Sequence, residues 1–404
     1  MLKMGIAVFV VLLSVAVVVG LVGCPQPQDQ TVDVDVPPEG DQGEPAPQGE
    51  PYRIGALFAI TGAGASLGQP ERDAAKMLET QINAAGGVNG RPVEIIIRDT
   101  RGEETQALNA AKELVEKENV LAIIGPSRSG TTLGIISYIE QAETALVSCA
   151  AARKITDPVR KWVFQVVPSD RHAVQRLYKY LAANDMTRIA VITASSGYGA
   201  EGLHQLESQT EEAGMEIVTA EEFGDTDSDM TPQLTRIKGT DAQAIICWGI
   251  GKAPSLIAKN MAQMGMELPL LQSSGVANDR FIEVAGAASD GVIMPAAKLI
   301  VASQIPDSDR QKETLLRFAA DYEATYNRRP DHYGGHAWDA IQIIRKALEK
   351  AGDDKAALRD EIEKTTDFVG MGGIFNYAAN DHYGLTADAF ALVRIEDGKW
   401  QLIE

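Results

Sequence analysis

The sequence predicts an α/β protein of two Rossmann-like lobes, each a parallel sheet covered by helices. Three observations predict it. From Tyr52 onward, apolar runs of strand length alternate with amphipathic stretches of helical length, the pattern of parallel strands joined by crossover helices. About 350 residues follow the N-terminal segments, more than one core usually serves. The alternation breaks at Val167-Pro168-Ser169 and then resumes, so two series fit the length better than one very wide sheet.

The chain opens as a membrane-directed leader. Met1-Leu2-Lys3-Met4 carries one positive charge and no acid, and residues 5–23 are almost entirely apolar. A run of that length spans a bilayer, so an uncleaved anchor and a cleaved leader both stay open. Leu21-Val22-Gly23-Cys24 matches the lipobox of bacterial lipoproteins, and the expected reading is a signal peptide over 1–23 with the Cys24 thiol acylated. Either reading takes the body out of the cytoplasm. Residues 25–51 hold seven Pro, seven acids and no Lys or Arg, too little apolar surface to offset chain entropy. Residues 24–51 therefore read as the lipidated Cys and a disordered, extended, acidic spacer.

The body follows in order. Strands are expected at 54–59, 93–98, 120–124, 146–149 and 163–166, then at 189–193, 216–219, 244–247 and 268–272. Helices are expected at 73–85, 105–118, 131–141, 172–183, 200–213, 230–238, 254–264 and 278–284. A second crossing between lobes is placed near 294–299. Helices at 309–326, 333–350 and 355–364 come next. Residues 389–395 and 399–403, separated by Glu396-Asp397-Gly398, read as an antiparallel hairpin.

Charge and cysteine usage exclude several functions. The chain has 37 Lys and Arg against 56 Asp and Glu, with no basic run, which argues against a nucleic-acid partner because phosphate neutralisation dominates such binding. Cys149 and Cys247 each close an apolar run; buried free thiols are the simpler reading, and a bridge between them is the alternative outside the cytoplasm. There is no nucleophile elbow and no triad-like spacing, so no enzyme activity is expected. His332 and His336 lie four apart but lack the intervening Glu of a zinc hydrolase, and they read as ordinary helix-surface or core residues rather than metal ligands.

Two loops after strands carry the chemistry. Residues 61–68, Thr61-Gly62-Ala63-Gly64-Ala65-Ser66-Leu67-Gly68, imitate a dinucleotide loop, but the third Gly is late and the next acidic strand end, Asp99, is too distant. No cofactor is expected, and a loop rimming another ligand is the better reading. Residues 125–132, Gly125-Pro126-Ser127-Arg128-Ser129-Gly130-Thr131-Thr132, open a helix, where free N–H groups, hydroxyls and the positive helix end favour a carboxylate. Ser129 or Thr131 acting only as a helix cap is the alternative. Tyr198 and Trp248 follow strands, and ligands of open parallel sheets lie beyond strand carboxyl ends. Packing between loops explains either aromatic equally well.

Across residues 52–395 the chain resembles the leucine/isoleucine/valine-binding family, the type I periplasmic solute-binding proteins of ABC transporters. The motifs are Ala59-Ile60-Thr61-Gly62 with Gly68, Ile82-Asn83-Ala84-Ala85-Gly86-Gly87-Val88-Asn89-Gly90 and Ile124-Gly125-Pro126. Tyr198-Gly199-Ala200-Glu201-Gly202, Gly275-Val276-Ala277-Asn278 and Trp338-Asp339-Ala340 follow. The resemblance implies the type I periplasmic-binding-protein fold: two lobes with a three-crossing hinge, lobe 1 over 52–169 plus 299–378 and lobe 2 over 170–298 plus 379–404. It implies that Ser129 binds a ligand carboxylate, with Ala150 and Ala152 on the facing loop and Leu67, Ser127 and Arg128 beside them. Tyr198 falls on the second lobe's ligand-binding tyrosine, and Trp338 on an aromatic near the cleft.

The departures bear on the ligand. Where amino-acid binders of the family place an acid for the ammonium, this chain has Ser274, and an ammonium buried without a partner costs several kcal/mol. Ala152 replaces a hydroxyl residue usual in leucine binders, and Trp248 is followed by no later Tyr. Phe368-Val369-Gly370-Met371-Gly372-Gly373-Ile374-Phe375-Asn376 and Asp381-His382-Tyr383-Gly384-Leu385 look like a subgroup whose ligands are often other carboxylates. The expectation is a monomeric lipoprotein that captures a small carboxylate, a branched-chain amino acid or an organic or aromatic acid, for an ABC permease and its ATPase. A sensor of the same fold is the alternative.

Overall fold

A computed structural model describes residues 47–403. The leader, Cys24 and most of the acidic spacer lie outside the described residues.

The chain begins with β1 (Tyr52–Phe58), α1 (Ala65–Ala84), β2 (Val93–Asp99), α2 (Glu104–Glu116), β3 (Ala122–Ile124), α3 (Ser129–Ala142), β4 (Ala145–Ser148) and β5 (Val163–Gln165). These five strands form one parallel sheet in the order β2-β1-β3-β4-β5. β3 and β4 are buried along their whole length, which is why they read as unbroken apolar runs.

A second series follows: α4 (Asp170–Ala183), β6 (Arg188–Ala194), α5 (Gly197–Ser208), α6 (Thr210–Ala213), β7 (Glu216–Phe223), α7 (Thr231–Lys238), β8 (Ala244–Trp248), α8 (Ala253–Gln263), β9 (Leu270–Gln272), α9 (Asp279–Ala285) and β10 (Ile293–Ala297). Helices α10 (Lys312–Tyr326), α11 (His332–Ala351) and α12 (Lys355–Glu363), the short pair β11 (Phe368–Val369) and β12 (Ile374–Phe375), and the hairpin β13 (Phe390–Glu396) and β14 (Lys399–Leu402) complete the chain. The second sheet runs β14-β13-β10-β9-β8-β6-β7. Its β7-β6-β8-β9-β10 part repeats the winding of the first sheet, and β13 closes onto β10 antiparallel.

α11 packs on α1 and reaches β3, and α12 packs on α11 and β4, so these helices return to the first sheet before β13 rejoins the second. The chain thus passes between sheets three times: after β5, after β10 and before β13. The β13–β14 turn places Asp397 and Gly398 at positive φ, 50° and 70°, the backbone a two-residue hairpin needs.

Two sequence expectations change, and the free-thiol reading of the cysteines holds. Residues 61–68 are not one loop. A single 3-10 turn spans Gly62–Gly64 and α1 starts at Ala65, eight residues before the expected start at 73. Three glycines and Pro70 argue locally against helix, but close packing of Gly68 on β1 overrides them. Within the region expected only as a crossing, residues 293–297 form the fully buried β10, which Pro295 conceals because proline rarely sits in a central strand. Cys149 and Cys247 are separate buried free thiols.

Candidate functional site

A pocket enclosing about 520 Å³ of atom-free space, its open mouth included, lies where the carboxyl ends of both sheets face each other. In each sheet the strand order reverses between the first and third strands of its series, β1/β3 and β6/β8, and open α/β sheets bind ligands at such switch points.

The first sheet supplies Ser127, Arg128 and Ser129 after β3, Cys149 and Ala150 after β4, and Leu67 from α1. Arg128 is the N-cap of α3, extended at φ −117° and ψ 145°, and no side chain caps the helix. Thr131 Oγ1 instead donates to the Arg128 carbonyl at 2.9 Å, so the capping alternative does not hold. The opening N–H groups of a helix have no intrahelical acceptor, and Ser129, the first residue of α3, lines the pocket. Ser129 Oγ accepts the Ala152 N–H at 3.3 Å, tying the β3 and β4 loops together. Ser127 Oγ accepts the Ala59 N–H at 3.0 Å and donates to Glu71. Burial pushes the Glu71 carboxyl well above the usual carboxylate range, and its Oε1 has no partner.

The second sheet supplies Tyr198 from the first turn of α5, Ile250 after β8 and Ser274 after β9. Tyr198 is buried, its hydroxyl has no hydrogen-bond partner, and burial raises its pKa. Arg128 reaches across the pocket mouth to Asp225, Nη2 to Oδ2 at 2.5 Å. Lys154 and Glu201 make a second bridge between lobes at 3.0 Å.

Helix α11 contributes His332, Tyr333 and His336, side chains the sequence reading did not assign to the site. Tyr333 donates its hydroxyl proton to the Gly275 carbonyl, and His332 Nδ1 donates to the Ala277 carbonyl at 2.9 Å. Burial lowers the His332 pKa to about 4, and burial with His332 as neighbour lowers that of His336 well below its usual value. Both rings are therefore neutral near pH 7. The i, i+4 spacing was visible in the sequence; that this helix face turns toward a cleft was not.

Three predicted site residues do not line the pocket. Ala152 is fully buried and touches it only through the N–H given to Ser129. Trp248 is fully buried behind Tyr198, with ring centroids 5.9 Å apart. Gly202 makes room for it, since an added Cβ would lie 2.2 Å from the indole Cδ1. Trp338 stacks on Phe368 at 6.1 Å and meets Phe318 edge-on at 6.3 Å. Two residues beyond His336 on α11, it points about 200° away around the helix. Leu67, Ser127, Arg128, Ser129, Ala150, Tyr198 and Ser274 all line the pocket.

No Asp or Glu lines this pocket, and Arg128 is its one charged lining residue. Among the described residues, no group of three or more His, Cys, Asp and Glu could hold a metal ion.

Two lobes enclosing a mostly apolar cleft, with unpartnered donors at its wall, define a solute-binding protein of the two-lobed α/β class. The model of the periplasmic binding protein family matches residues 51–399, and the chain belongs to that family. Leu/Ile/Val-binding protein BraC3 of Rhizobium johnstonii is 23% identical over 350 residues, covering 86% of this chain and 92% of that protein. The leucine-, isoleucine-, valine-, threonine- and alanine-binding protein of Pseudomonas aeruginosa is 26% identical over 305 residues, covering 74% and 79%. The crystal structure of an extracellular ligand-binding receptor from Rhodopseudomonas palustris HaA2 superposes with a TM-score of 0.83 at 27% identity, covering 88% of this chain and all of that one. The family consists of binding proteins, not enzymes, and membership implies an exported, periplasmic protein.

Proposed function

We propose that this protein captures a small carboxylate in the inter-lobe pocket and delivers it to an ABC permease and its ATPase, held at the membrane as a monomer through lipidated Cys24. The observation that carries the carboxylate reading is the uncapped start of α3, opening beside Ser129 and Arg128 in a pocket lined by no acid. Backbone N–H groups and the positive helix end hold an anion there. Tyr198, with its free hydroxyl, faces the ligand from the second lobe, while Leu67, Ala150 and Ser274 shape the walls. Ala152 and Trp248 act from behind, through Ser129 and Tyr198.

A branched-chain amino acid is the second reading, favoured by the names of the Rhizobium and Pseudomonas relatives. Against it stands Ser274 where an acid would meet the ammonium, with no other carboxylate lining the pocket.

Thermal denaturation against leucine, aliphatic acids and aromatic acids separates the two. A ligand at 100 times its Kd adds about 2.7 kcal/mol of stability. Ser129→Ala should weaken binding of the stabilising acid about tenfold, the scale of one hydrogen bond to a charged group. Stabilisation by leucine with none by simple carboxylates would sink the organic-acid reading.

A further inference from the structure

The pocket has a second polar pole that the carboxylate does not use. His332 and His336 stand one turn apart on α11, both buried, with ring centroids 5.3 Å apart and planes at 70°. The His332 bond to the Ala277 carbonyl puts its proton on Nδ1, so Nε2 of the neutral ring is an acceptor. His336 Nδ1 is buried and has no partner. Buried polar atoms are almost always paired in a folded protein, and a ligand in the pocket that both rings line would supply the partner His336 Nδ1 lacks.

We infer that the ligand is a hydroxy acid: a carboxylate that also carries a hydroxyl, with no ammonium, and whose hydroxyl is held between His332 and His336. The inference rests on the carboxylate reading above and narrows it. An acceptor at His332 Nε2 needs a donor, which rules out a second carboxylate, a ketone or an ether at that pole. An ammonium donates but brings a charge, and no Asp or Glu lines the pocket to meet it. A hydroxyl donates to one ring and accepts from the other through a single oxygen. His336 is thus a specificity-determining residue, and the pole rejects acids of the same shape that lack the hydroxyl, because its nitrogens are then left unpaired.

Calorimetric titration of the full chain tests this with acids that share a skeleton: leucic acid, isocaproic acid and leucine, and para-hydroxybenzoate against benzoate. In at least one series the hydroxylated acid should bind about tenfold or more tightly than its deoxy partner. His336→Leu should bring that ratio close to one, and His336→Gln, which keeps a hydrogen-bonding side chain, should retain part of it. A loss of folding or packing alone would weaken both acids alike and leave the ratio standing, which counts against the inference. So do equal affinities within both series, or leucine as the tightest ligand. Binding of none of these acids overturns the carboxylate reading itself, and this inference with it.

Discussion

Buried histidines leave a signature in stability as well as in binding. His332 is buried and its pKa falls from 6.5 to about 4, so the folded state holds the proton less well than the unfolded chain. Its contribution is fully present above pH 6.5 and is lost as pH falls toward 4. At pH 5 the loss amounts to about 2 kcal/mol. The buried acids Glu71 and Asp339 have raised pKa values, and their contributions run the other way, being lost as pH rises. A single pH profile therefore mixes both signs, and a variant isolates one. Urea denaturation at pH 7.5 and pH 5 should find that His332→Gln loses about 2 kcal/mol less on acidification than the parent protein. Equal losses would mean that the ring already carries its proton in the fold. His336 and Trp338 also show where residue-scale reading of the sequence stops. Both belong to one helical stretch recognisable from its periodicity, yet which faces the cleft depends on how α11 lies on α1, a contact between segments far apart in the chain.

Elements were legible where local pattern and tertiary demand agree. The strands buried on both faces, such as β3, β4 and β8, announce themselves as continuous apolar runs, and loops after them were read as the place for a ligand; those after β3 and β4 line the pocket. β10 and the first two turns of α1 were not legible, because Pro295, Gly62, Gly64, Gly68 and Pro70 signal breaks that packing overrules. At Gly68 the conflict has a measurable size. A Cβ there would lie 2.3 Å from the Ala59 carbonyl carbon and 2.6 Å from its nitrogen, so α1 would have to lift off β1. Replacing Gly by Ala within a helix gains about 1 kcal/mol of propensity, but forcing packed backbone apart costs about 1–3 kcal/mol or more. Gly68→Ala should therefore destabilise the protein in urea titrations. Gly134, exposed on α3 with only the Glu104 side chain nearby at 3.4 Å and beyond, is the control. Gly134→Ala should stabilise by up to about 1 kcal/mol. The same sign at both positions would remove the close-packing account of how α1 begins.

At the scale of the whole molecule, the proposed capture mechanism makes ligand retention depend on contacts formed only while the lobes face each other. Arg128, at the start of α3, pairs with Asp225 just beyond β7, and both side chains are largely buried at 14% and 20% exposure. Its geometry is set from both flanks: Cβ atoms on Gly64 and Gly102 would crowd the arginine at 3.3 and 3.0 Å. Opening the lobes separates the ion pair, so it adds to the barrier against release and contributes little to entry. A partly buried, hydrogen-bonded charge pair acts mainly on the rate of dissociation. Asp225→Asn keeps the shape, removes the charge, and should speed release of the best-binding acid roughly tenfold with little change in its association rate. Glu221 and Arg236 pair within the second lobe, between β7 and α7, so Glu221→Gln should leave release unchanged. Stopped-flow measurements on intrinsic tryptophan fluorescence give both rates. If Asp225→Asn slows association instead, Arg128 and Asp225 guide the ligand in; if neither rate moves, the lobes are held by their other contacts, the Lys154–Glu201 bridge and those of Tyr333 and His332.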